Sequence, residues 1–432
     1  MRNARDGLSR PQRYPQALAG VAVATLLLAA CGSNGTSSSS GSAGGATNTP
    51  SAATAALGAP DQAKGTPVKI GLISDGGSGA IGTAPLVEQG AKMAVAYANG
   101  YRGGLAGHPI DLVICENQST PAGAQACANQ MVQAHVAAMV EPFTGQGAAE
   151  VPTITKAGIP YITLSGASTQ ELTTPGAFDL TGGYPATLGA FALSAKHQGY
   201  SKFAMLVSNV PAAITGAEQL GSLVFRAAGV GYKVIPVNTG TADMTPQLQA
   251  AVSWGAKAIG ITGDVTLCSS FLKGYQTLSL TEPKYVIGPC LDPSIFSTLG
   301  SVLGGSYLGT TSAADASDLA LYAAITKKYA PSVNPNPNTS ANQAFGATPV
   351  LALLSIMHGY SGPVTAAAVK QQVKTVQNVP VPLSGGITFT CNGKAIPLLP
   401  SVCSSELKVG KVSSAGVVSG LQLYDPTPLF HV

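Results

Sequence analysis

The sequence predicts an α/β protein built from two lobes, each a doubly wound parallel sheet covered by helices. Short apolar strands alternate with amphipathic helices from Val68 onward, and this alternation runs through two successive series. Strands that are apolar throughout and lie between helices are typical of parallel sheets with both faces covered. A chain of 432 residues, of which 45% are hydrophobic, is long enough to form two cores.

The first series predicts the N-terminal lobe. Its first helix is amphipathic, because Leu86, Gly90, Met93 and Tyr97 fall on one face. The strands are predicted at 68–73, 110–114, 137–140 and 161–164, and the helices at 85–99, 122–135 and 147–157.

The second series predicts the C-terminal lobe, and a long tail follows it. If the tail completes both lobes, the chain crosses between them several times. The predicted strands are 203–207, 233–237, 258–261, 285–287 and 306–309, with helices at 186–198, 215–228, 246–254 and 266–278; the tail has helices at 319–329, 341–358 and 364–376 and a strand-like part at 386–423.

The N-terminus predicts an export signal. Four arginines precede an apolar run over residues 17–30, which is too short to span a bilayer and ends in Leu-Ala-Ala. Residues 1–30 are therefore expected to be a cleaved signal peptide. Cys31 follows directly and resembles the lipobox cysteine of bacterial lipoproteins, whose thiol is acylated. The alternative is an ordinary secretory signal that happens to precede a cysteine.

Lipidation of Cys31 would place the protein on the extracytoplasmic face of the cell membrane, held there by a lipid anchor. Residues 31–66, which begin with this cysteine, consist largely of Gly, Ser, Ala, Thr, Asn and Pro. Such a segment buries too little apolar surface to offset its chain entropy, so a flexible linker is expected. No second apolar run in the sequence approaches the ~20 residues that a membrane helix needs.

The charge balance argues against a nucleic-acid partner. The chain has 23 basic and 19 acidic residues, but four of the arginines and one aspartate belong to the predicted signal peptide. What remains is nearly neutral, so neither nucleic acid nor an anionic membrane surface is an expected electrostatic partner.

The cysteines predict disulfides. Without Cys31, six remain, an even number that suits an oxidising compartment. Zinc is the competing interpretation, but no pair has CxxC spacing and no histidine lies nearby. Six cysteines allow fifteen pairings. Proximity along the chain favours Cys115–Cys127, Cys268–Cys290 and Cys391–Cys403.

The sequence contains no assembled catalytic set, so no enzyme activity, cofactor or metal is expected. The five histidines are scattered, and none lies in HExxH or beside a nucleophile motif. The loop at 75–79, Asp-Gly-Gly-Ser-Gly, follows the first strand as a phosphate-binding loop would. It lacks both the Lys-Ser/Thr end of a P-loop and the spacing of GxGxxG.

Polar, glycine-containing loops follow the strands of the first series, at 74–83, 116–120, 141–147 and 165–169. In open α/β sheets, ligands bind outside these strand ends, where loop amides and helix N-termini converge. Such a site suits an anionic group such as a carboxylate, held by backbone N–H groups and hydroxyls. The alternative is that these loops only cap helices.

Several segments in order resemble the Leu/Ile/Val-binding proteins, which are the substrate-binding proteins of branched-chain amino-acid ABC importers. The resemblance covers about residues 68–430 and rests on the order of its motifs. These are Val-Lys-Ile-Gly-Leu-Ile at 68–73, Gln-Gly-Ala at 89–91, Gly-Gly-Leu-Ala-Gly at 103–107, Asn-Gln-Ser-Thr-Pro at 117–121, Val-Glu-Pro at 140–142, Gly-Ile-Pro-Tyr-Ile at 158–162, Ser-Gly-Ala-Ser-Thr at 165–169, Glu-Leu-Thr at 171–173 and Val-Ile-Gly-Pro at 286–289.

The resemblance implies a type I periplasmic binding protein, with two lobes that are joined by a three-strand hinge and close on a ligand. The N-lobe would comprise 68–182 and 312–386, and the C-lobe 183–311 and 387–432. The crossings would then lie near 180–184, 308–312 and 385–389.

In that family, the loops after the third and fourth strands hold the ligand's carboxylate and ammonium groups. The matching positions here are Thr144 and Gly145, then Gly166 and Ser168. Thr83 falls near the position of the family's first-loop aromatic residue. In the C-lobe, Tyr184 either faces the cleft or packs in the hinge, and Cys290 stands where the family has an acidic residue. Asp264 either supplies the negative charge for a ligand ammonium group or caps a helix.

The expected function is therefore a lipid-anchored substrate-binding protein that captures a small amino-acid-like or carboxylate ligand for an ABC importer. Its expected partners are that ligand (an amino acid, amide or small carboxylate) and the importer's membrane subunits, and the protein is expected to be a monomer. A ligand-binding sensor or receptor lipoprotein of the same fold is the alternative.

Overall fold

The structure is a computed structural model that describes residues 55–76, 84–312, 314–337 and 340–431, without the side chains of residues 211 and 212. All described residues belong to one compact unit, Pro50–Val432. The predicted signal peptide, Cys31, most of the predicted linker and Thr83 lie outside the described residues.

The first sheet has five parallel strands in the order β2-β1-β3-β4-β5. Each strand is followed by a helix that crosses to the next strand, because buried apolar strands alternate with amphipathic helices. The strands are β1 (Val68–Ser74), β2 (Ile110–Glu116), β3 (Ala138–Glu141), β4 (Tyr161–Thr163) and β5 (Ala177–Asp179), and the helices are α1 (Ala84–Tyr101), α2 (Pro121–Gln133), α3 (Gly147–Lys156) and α4 (Thr169–Thr173).

The second sheet has seven strands, of which five are parallel. These are β6 (Lys202–Ser208), β7 (Gly231–Val237), β8 (Ala258–Thr262), β9 (Lys284–Val286) and β10 (Tyr307–Thr310), accompanied by α5 (Gly183–His197), α6 (Pro211–Gly216), α7 (Ser222–Ala228), α8 (Thr245–Ser253), α9 (Val265–Leu278) and α10 (Pro293–Leu303).

The C-terminal tail departs from a purely parallel arrangement. Helices α11 (Ala316–Tyr329), α12 (Ala341–Ile356) and α13 (Ala366–Thr375) return to the first lobe and share its core with Ile70 and Val140. A short antiparallel pair follows, and two antiparallel strands then extend the second sheet beside β10. These strands are β11 (Val379–Pro380), β12 (Thr388–Phe389), β13 (Leu407–Val412) and β14 (Val418–Tyr424).

Among the described residues, the main segments of the two lobes are joined at three places, in agreement with the predicted fold class. The first passage separates Leu180 in the first core from Ala186 in the second. The second follows β10 and leads into α11. The third spans a longer stretch than the expected 385–389, because Phe389, Cys391 and Cys403 pack in the first core, whereas Ile396, Leu399 and Val402 pack in the second. Leu407 then lies in the second core.

Three disulfides join neighbouring elements, in the pairs that proximity along the chain favours. Cys115–Cys127 ties the end of β2 to α2, and Cys268–Cys290 ties α9 to the turn after β9. Cys391–Cys403 closes the loop that leads to the third passage. No helix within the described ranges is long and apolar enough to span a membrane.

Candidate functional site

The carboxyl ends of β2, β1, β3 and β4 lie side by side at one edge of the first sheet, because these strands are parallel neighbours. Asp75, directly after β1, links three of the loops. Its Oδ1 accepts hydrogen bonds from Thr144 Oγ1 at 2.7 Å and from Asn117 Nδ2 at 2.6 Å, and its Oδ2 accepts one from the Gly145 N–H at 2.8 Å.

Thr144 is almost fully buried, and its hydroxyl is saturated. It donates to Asp75 and accepts from the Gln146 N–H at 2.9 Å and, at a longer 3.4 Å, from Asn117 Nδ2. A threonine hydroxyl has one proton to donate and two lone pairs. The Thr144 hydroxyl and the Gly145 N–H, both predicted to hold a ligand, thus donate to a carboxyl group of the protein itself.

The next loop has the same character. The Gly166 N–H donates to Asp179 Oδ2 at 3.2 Å. Ser168 caps α4 in a capping box with Glu171: its hydroxyl donates to Glu171 Oε2 at 2.8 Å and accepts from the Glu171 N–H at 3.3 Å. Glu171 Oε2 also accepts from the N–H groups of Ala167 and Ser168. Helix capping, the alternative considered for these loops, is thus the observed contact of Ser168.

Four buried carboxyl groups lie beneath these loops. Burial raises the pKa of Glu150 to about 8 and that of Asp179 to about 8. Burial, together with the neighbouring Glu150 and Asp75, raises the pKa of Glu141 far above its usual range, and burial also raises the pKa of Glu171. Both carboxyl oxygens of Glu141, one of Glu150 and one of Glu171 have no hydrogen-bond partner among the described residues.

Asn117 connects the exposed and buried parts of this network. It is completely buried; its Nδ2 donates to Glu150 Oε1 at 3.0 Å as well as to Asp75, and its Oδ1 accepts from the Ser119 N–H. Sequence reasoning missed the roles of Asp75, Asn117, Glu150 and Asp179. The sequence contained one sign of a buried acidic cluster: Glu141 and Asp179 each end a short apolar strand of the parallel sheet.

One aromatic side chain stands out on the same loops. Phe143 is 46% exposed although it follows the buried Glu141 and Pro142, and it directly precedes Thr144. Sequence reasoning did not single it out. An exposed aromatic ring beside a polar site offers a stacking surface for the apolar part of a ligand.

In the second lobe, the predicted residues lie on the hinge and on one strand–helix loop. The Tyr184 hydroxyl lies 3.5 Å from Thr262 Oγ1 at the end of β8, and burial raises the pKa of Tyr184 to about 12. Asp264, two residues after Thr262, caps α9 by accepting from the Leu267 N–H at 2.8 Å. Capping, one of the two roles considered for Asp264, is therefore its observed contact.

Cys290 lies in its disulfide and is fully buried, so it offers no charge in place of the family's acidic residue. Within the described ranges, no group of three or more His, Cys, Asp or Glu side chains could hold a metal ion. Two surface cavities, of about 190 Å³ beside β13 and β14 and about 390 Å³ beside α1, contain none of the predicted ligand residues. The strand-end loops converge at one edge of the first sheet, and that edge is the candidate site.

Two α/β lobes joined by three passages, with polar loops at the carboxyl ends of the sheet, define a two-lobe ligand-binding protein. Residues 67–399 match the periplasmic binding protein family, so the chain belongs to that family. This match confirms the family resemblance inferred from the motifs. None of the curated protein sequences matches the chain.

Solved structures similar to this chain share its fold. A leucine-binding protein from Thermotoga maritima is 18% identical with a TM-score of 0.67, and the match covers 84% of this chain and 99% of that chain. The Streptococcus pneumoniae branched-chain amino-acid transporter substrate-binding protein, in complex with isoleucine, is 18% identical with a TM-score of 0.65 and coverages of 84% and 100%. A Rhodopseudomonas palustris ABC transporter solute-binding protein, in complex with 4-hydroxybenzoate, is 17% identical with a TM-score of 0.67 and coverages of 84% and 98%.

Proposed function

We propose that this protein is a lipid-anchored, extracytoplasmic substrate-binding protein that captures a small ligand between its lobes and delivers it to an ABC importer. The ligand class is an amino acid, an amide or a small carboxylate. The observation that carries the proposal is the family match over 67–399, together with strand-end loops that converge at one edge of the first sheet.

The ligand class is supported by what related folds hold. The similar structures carry isoleucine in one case and 4-hydroxybenzoate in another, and a further one is named as a fatty acid ABC transporter substrate-binding protein. In this chain, Phe143 would pack against the apolar part of the ligand, while the loops containing Thr144, Gly145, Gly166 and Ser168 would surround its polar end.

The second lobe would complete the site. Tyr184 lies at the first passage between the lobes and contacts Thr262, whose strand–helix loop also contains Asp264. Ligand binding that favours the closed arrangement would shift the population toward it, and the importer's membrane subunits would recognise that form. The anchor follows from the sequence alone, through the Leu-Ala-Ala segment before Cys31.

The proposal is tested by thermal unfolding of the full chain, purified in mild detergent, against amino acids, amides, short-chain acids and aromatic acids. A ligand at 100 times its dissociation constant adds about 2.7 kcal/mol to the free energy of unfolding, which is a readily measured shift. Small-angle scattering with the same ligand is expected to give a smaller radius of gyration. Absence of any stabilising ligand across the panel would contradict the proposal.

Transport and sensing are separated by uptake. Cells that lack the gene are expected to lose uptake of the radiolabelled ligand and to regain it with the wild-type gene. The variant Cys31→Ser tests the anchor: the protein should then appear in the medium instead of the membrane fraction. Normal uptake without the gene, alongside measurable binding, would favour the sensor alternative.

A further inference from the structure

The polar groups expected to hold a ligand carboxylate are occupied by carboxyl groups of the protein. The Thr144 hydroxyl and the Gly145 N–H both donate to Asp75, one to each carboxylate oxygen, and the hydroxyl has no further proton to donate. The Gly166 N–H donates to Asp179, and the Ser168 hydroxyl and N–H donate to Glu171. A ligand carboxylate would therefore find the hydroxyls of Thr144 and Ser168 and the N–H groups of Gly145, Gly166 and Ser168 already in use.

Asp75 holds its place through a bidentate contact of the kind a bound carboxylate would make. Its two oxygens accept from a hydroxyl and a backbone N–H at 2.7 and 2.8 Å, and Asn117 adds a third donor at 2.6 Å. Asp75 itself is only half-buried, and three of its four carboxylate lone pairs are used, so one on Oδ2 remains for a further donor.

A second observation concerns the carboxyl group of Glu171, which lies between the two loops. Its Cδ would lie 2.3 Å from a Cβ atom placed at Gly147, the first residue of α3, and its Oε2 is the acceptor in the capping box of α4. Its Oε1 is buried and has no hydrogen-bond partner among the described residues. In the part of the chain that the structure describes, no lysine or arginine pairs with these acids; the ion pair found there joins Lys92 to Glu88.

From these contacts we infer that Asp75 fills the carboxylate subsite of the first lobe, so that the ligand presents an N–H-bearing group, an ammonium, amidinium or primary amide, to this subsite instead of a carboxylate. This inference rests on the proposed function and narrows its ligand class. Asp75 has one carboxylate lone pair left for an N–H donor, and no lysine or arginine in the described part of the chain pairs with it, which favours a cation there. A second anion beside Asp75 would be repelled, and it would find the Thr144 hydroxyl and the Gly145 N–H already in use.

The test compares full-length wild type with Asp75→Ala against ligand pairs that share a carbon skeleton. One member of each set has a carboxylate, and the others have a primary amide, an amine or an amidine: isocaproate with isocaproamide and 4-methylpentylamine, and benzoate with benzamide, benzylamine and benzamidine. Leucine and leucinamide form a further pair. Affinity is measured by calorimetry after a thermal-unfolding screen.

We expect wild type to bind the amide or amine members and to reject the matching acids. Asp75→Ala frees the Thr144 hydroxyl and the Gly145 N–H. Its affinity for an acid should therefore rise at least about tenfold, and its affinity for the matching amide or amine should fall at least about tenfold. A hydrogen bond to a charged group contributes enough free energy to change affinity by more than about tenfold. If Asp75→Ala folds poorly, Asp75→Asn, which removes the charge but keeps the shape, should still weaken amine binding.

Asp111→Ala is the matched control. Asp111 is an exposed acid near the start of β2, at the opposite end of the strand from the candidate site, and its loss changes the net charge equally. It should leave both affinities at the wild-type level, which excludes a general charge effect.

The outcomes separate this inference from the proposed function. Wild-type binding of acids that Asp75→Ala leaves unchanged would overturn the inference while supporting a substrate-binding protein. Absence of binding by both proteins across the whole panel would overturn the proposed function, and the inference with it. A gain of acid binding in Asp75→Ala that Asp111→Ala does not reproduce would support both.

Discussion

Asn117 Nδ2 lies 3.0 Å from Glu150 Oε1, and both side chains are completely buried beneath the strand-end loops. The amide donates to one carboxyl oxygen, while the other oxygen of Glu150 has no partner among the described residues. Burial raises the pKa of this carboxyl from its ordinary 4.5 to about 8. The first lobe therefore folds around an acid that is protonated at neutral pH.

The first prediction is that acidification stabilises the protein. Between pH 4.5 and about 8, the folded chain binds a proton at Glu150 that the unfolded chain releases, so the free energy of unfolding falls as pH rises through this window. The slope approaches about 1.4 kcal/mol per pH unit for such a carboxyl. Asp179, whose pKa burial raises to about 8, adds a contribution of the same sign. Chemical denaturation between pH 5 and 8 measures the total slope.

Glu150→Gln removes the contribution of Glu150 to the pH dependence of stability, because glutamine reproduces the uncharged, hydrogen-bonding form of the acid. We expect a shallower decrease in stability between pH 5 and 8, with a free energy of unfolding near the wild-type value at pH 5. Gln125→Ala is the control: Gln125 donates to Thr153 at 2.6 Å between α2 and α3, and its loss changes stability without removing a titrating group. Equal slopes in Glu150→Gln and wild type would show that Glu150 does not titrate differently on folding.

The parallel parts of the fold could be predicted from local sequence, whereas the tail could not be predicted in detail. Continuous apolar runs such as Ala258–Thr262 indicate buried parallel strands whatever their neighbours are. Strands β13 and β14 look strand-like, but their antiparallel pairing at the edge beside β10 depends on where the chain returns from the first lobe. The third passage is also difficult to bound from the sequence, because β11 and β12 are only two residues each.

The candidate site, too, could be predicted only in part from the sequence. Strand-end loops and their hydroxyl and glycine residues are visible in the sequence, so Thr144, Gly145, Gly166 and Ser168 could be named. Their partners could not, because Asp75 lies 69 positions from Thr144 in the chain and meets it only when β1 and β3 become neighbours. A predicted hydrogen-bond donor says nothing about whether the folded protein already uses it.

A second prediction concerns the crossing of α1 and α12. A Cβ atom at Gly90 would lie 1.9 Å from the Gln343 carbonyl oxygen, and one at Gly346 would lie 2.0 Å from that of Val87. Backbone atoms cannot move aside as a flexible side chain can, so Gly90→Ala must separate the helices. We expect a loss of about 1–3 kcal/mol in the free energy of unfolding, measured by denaturant titration.

Gly100→Ala, in the same helix, is the matched control. A Cβ there would meet only the Tyr329 hydroxyl, at the far end of a side chain, at 2.8 Å. Replacing glycine by alanine in a helix adds up to about 1 kcal/mol where space allows, so Gly100→Ala should be neutral or stabilising. Similar stabilities for the two variants would contradict close helix contact at Gly90.

The last prediction separates the capping role of Ser168 from a ligand-binding role. Ser168→Ala removes the side-chain cap of α4 and should cost about 1 kcal/mol of stability. Thr365→Ala removes the equivalent cap of α13, where the hydroxyl accepts from the Ala368 N–H, and Thr365 belongs to none of the strand-end loops of the site. Because both hydroxyls cap a helix N-terminus, both variants should lose stability in denaturant titrations.

Ser168 differs in one respect, since its hydroxyl also donates to the buried Glu171, so Ser168→Ala leaves that acid with one donor fewer and should lose somewhat more stability than Thr365→Ala. If the ligand contacts Glu171, the ligand affinity measured by calorimetry should change in Ser168→Ala and remain at the wild-type level in Thr365→Ala. Unchanged affinity in both variants would assign Ser168 to helix capping alone and remove it from the ligand site.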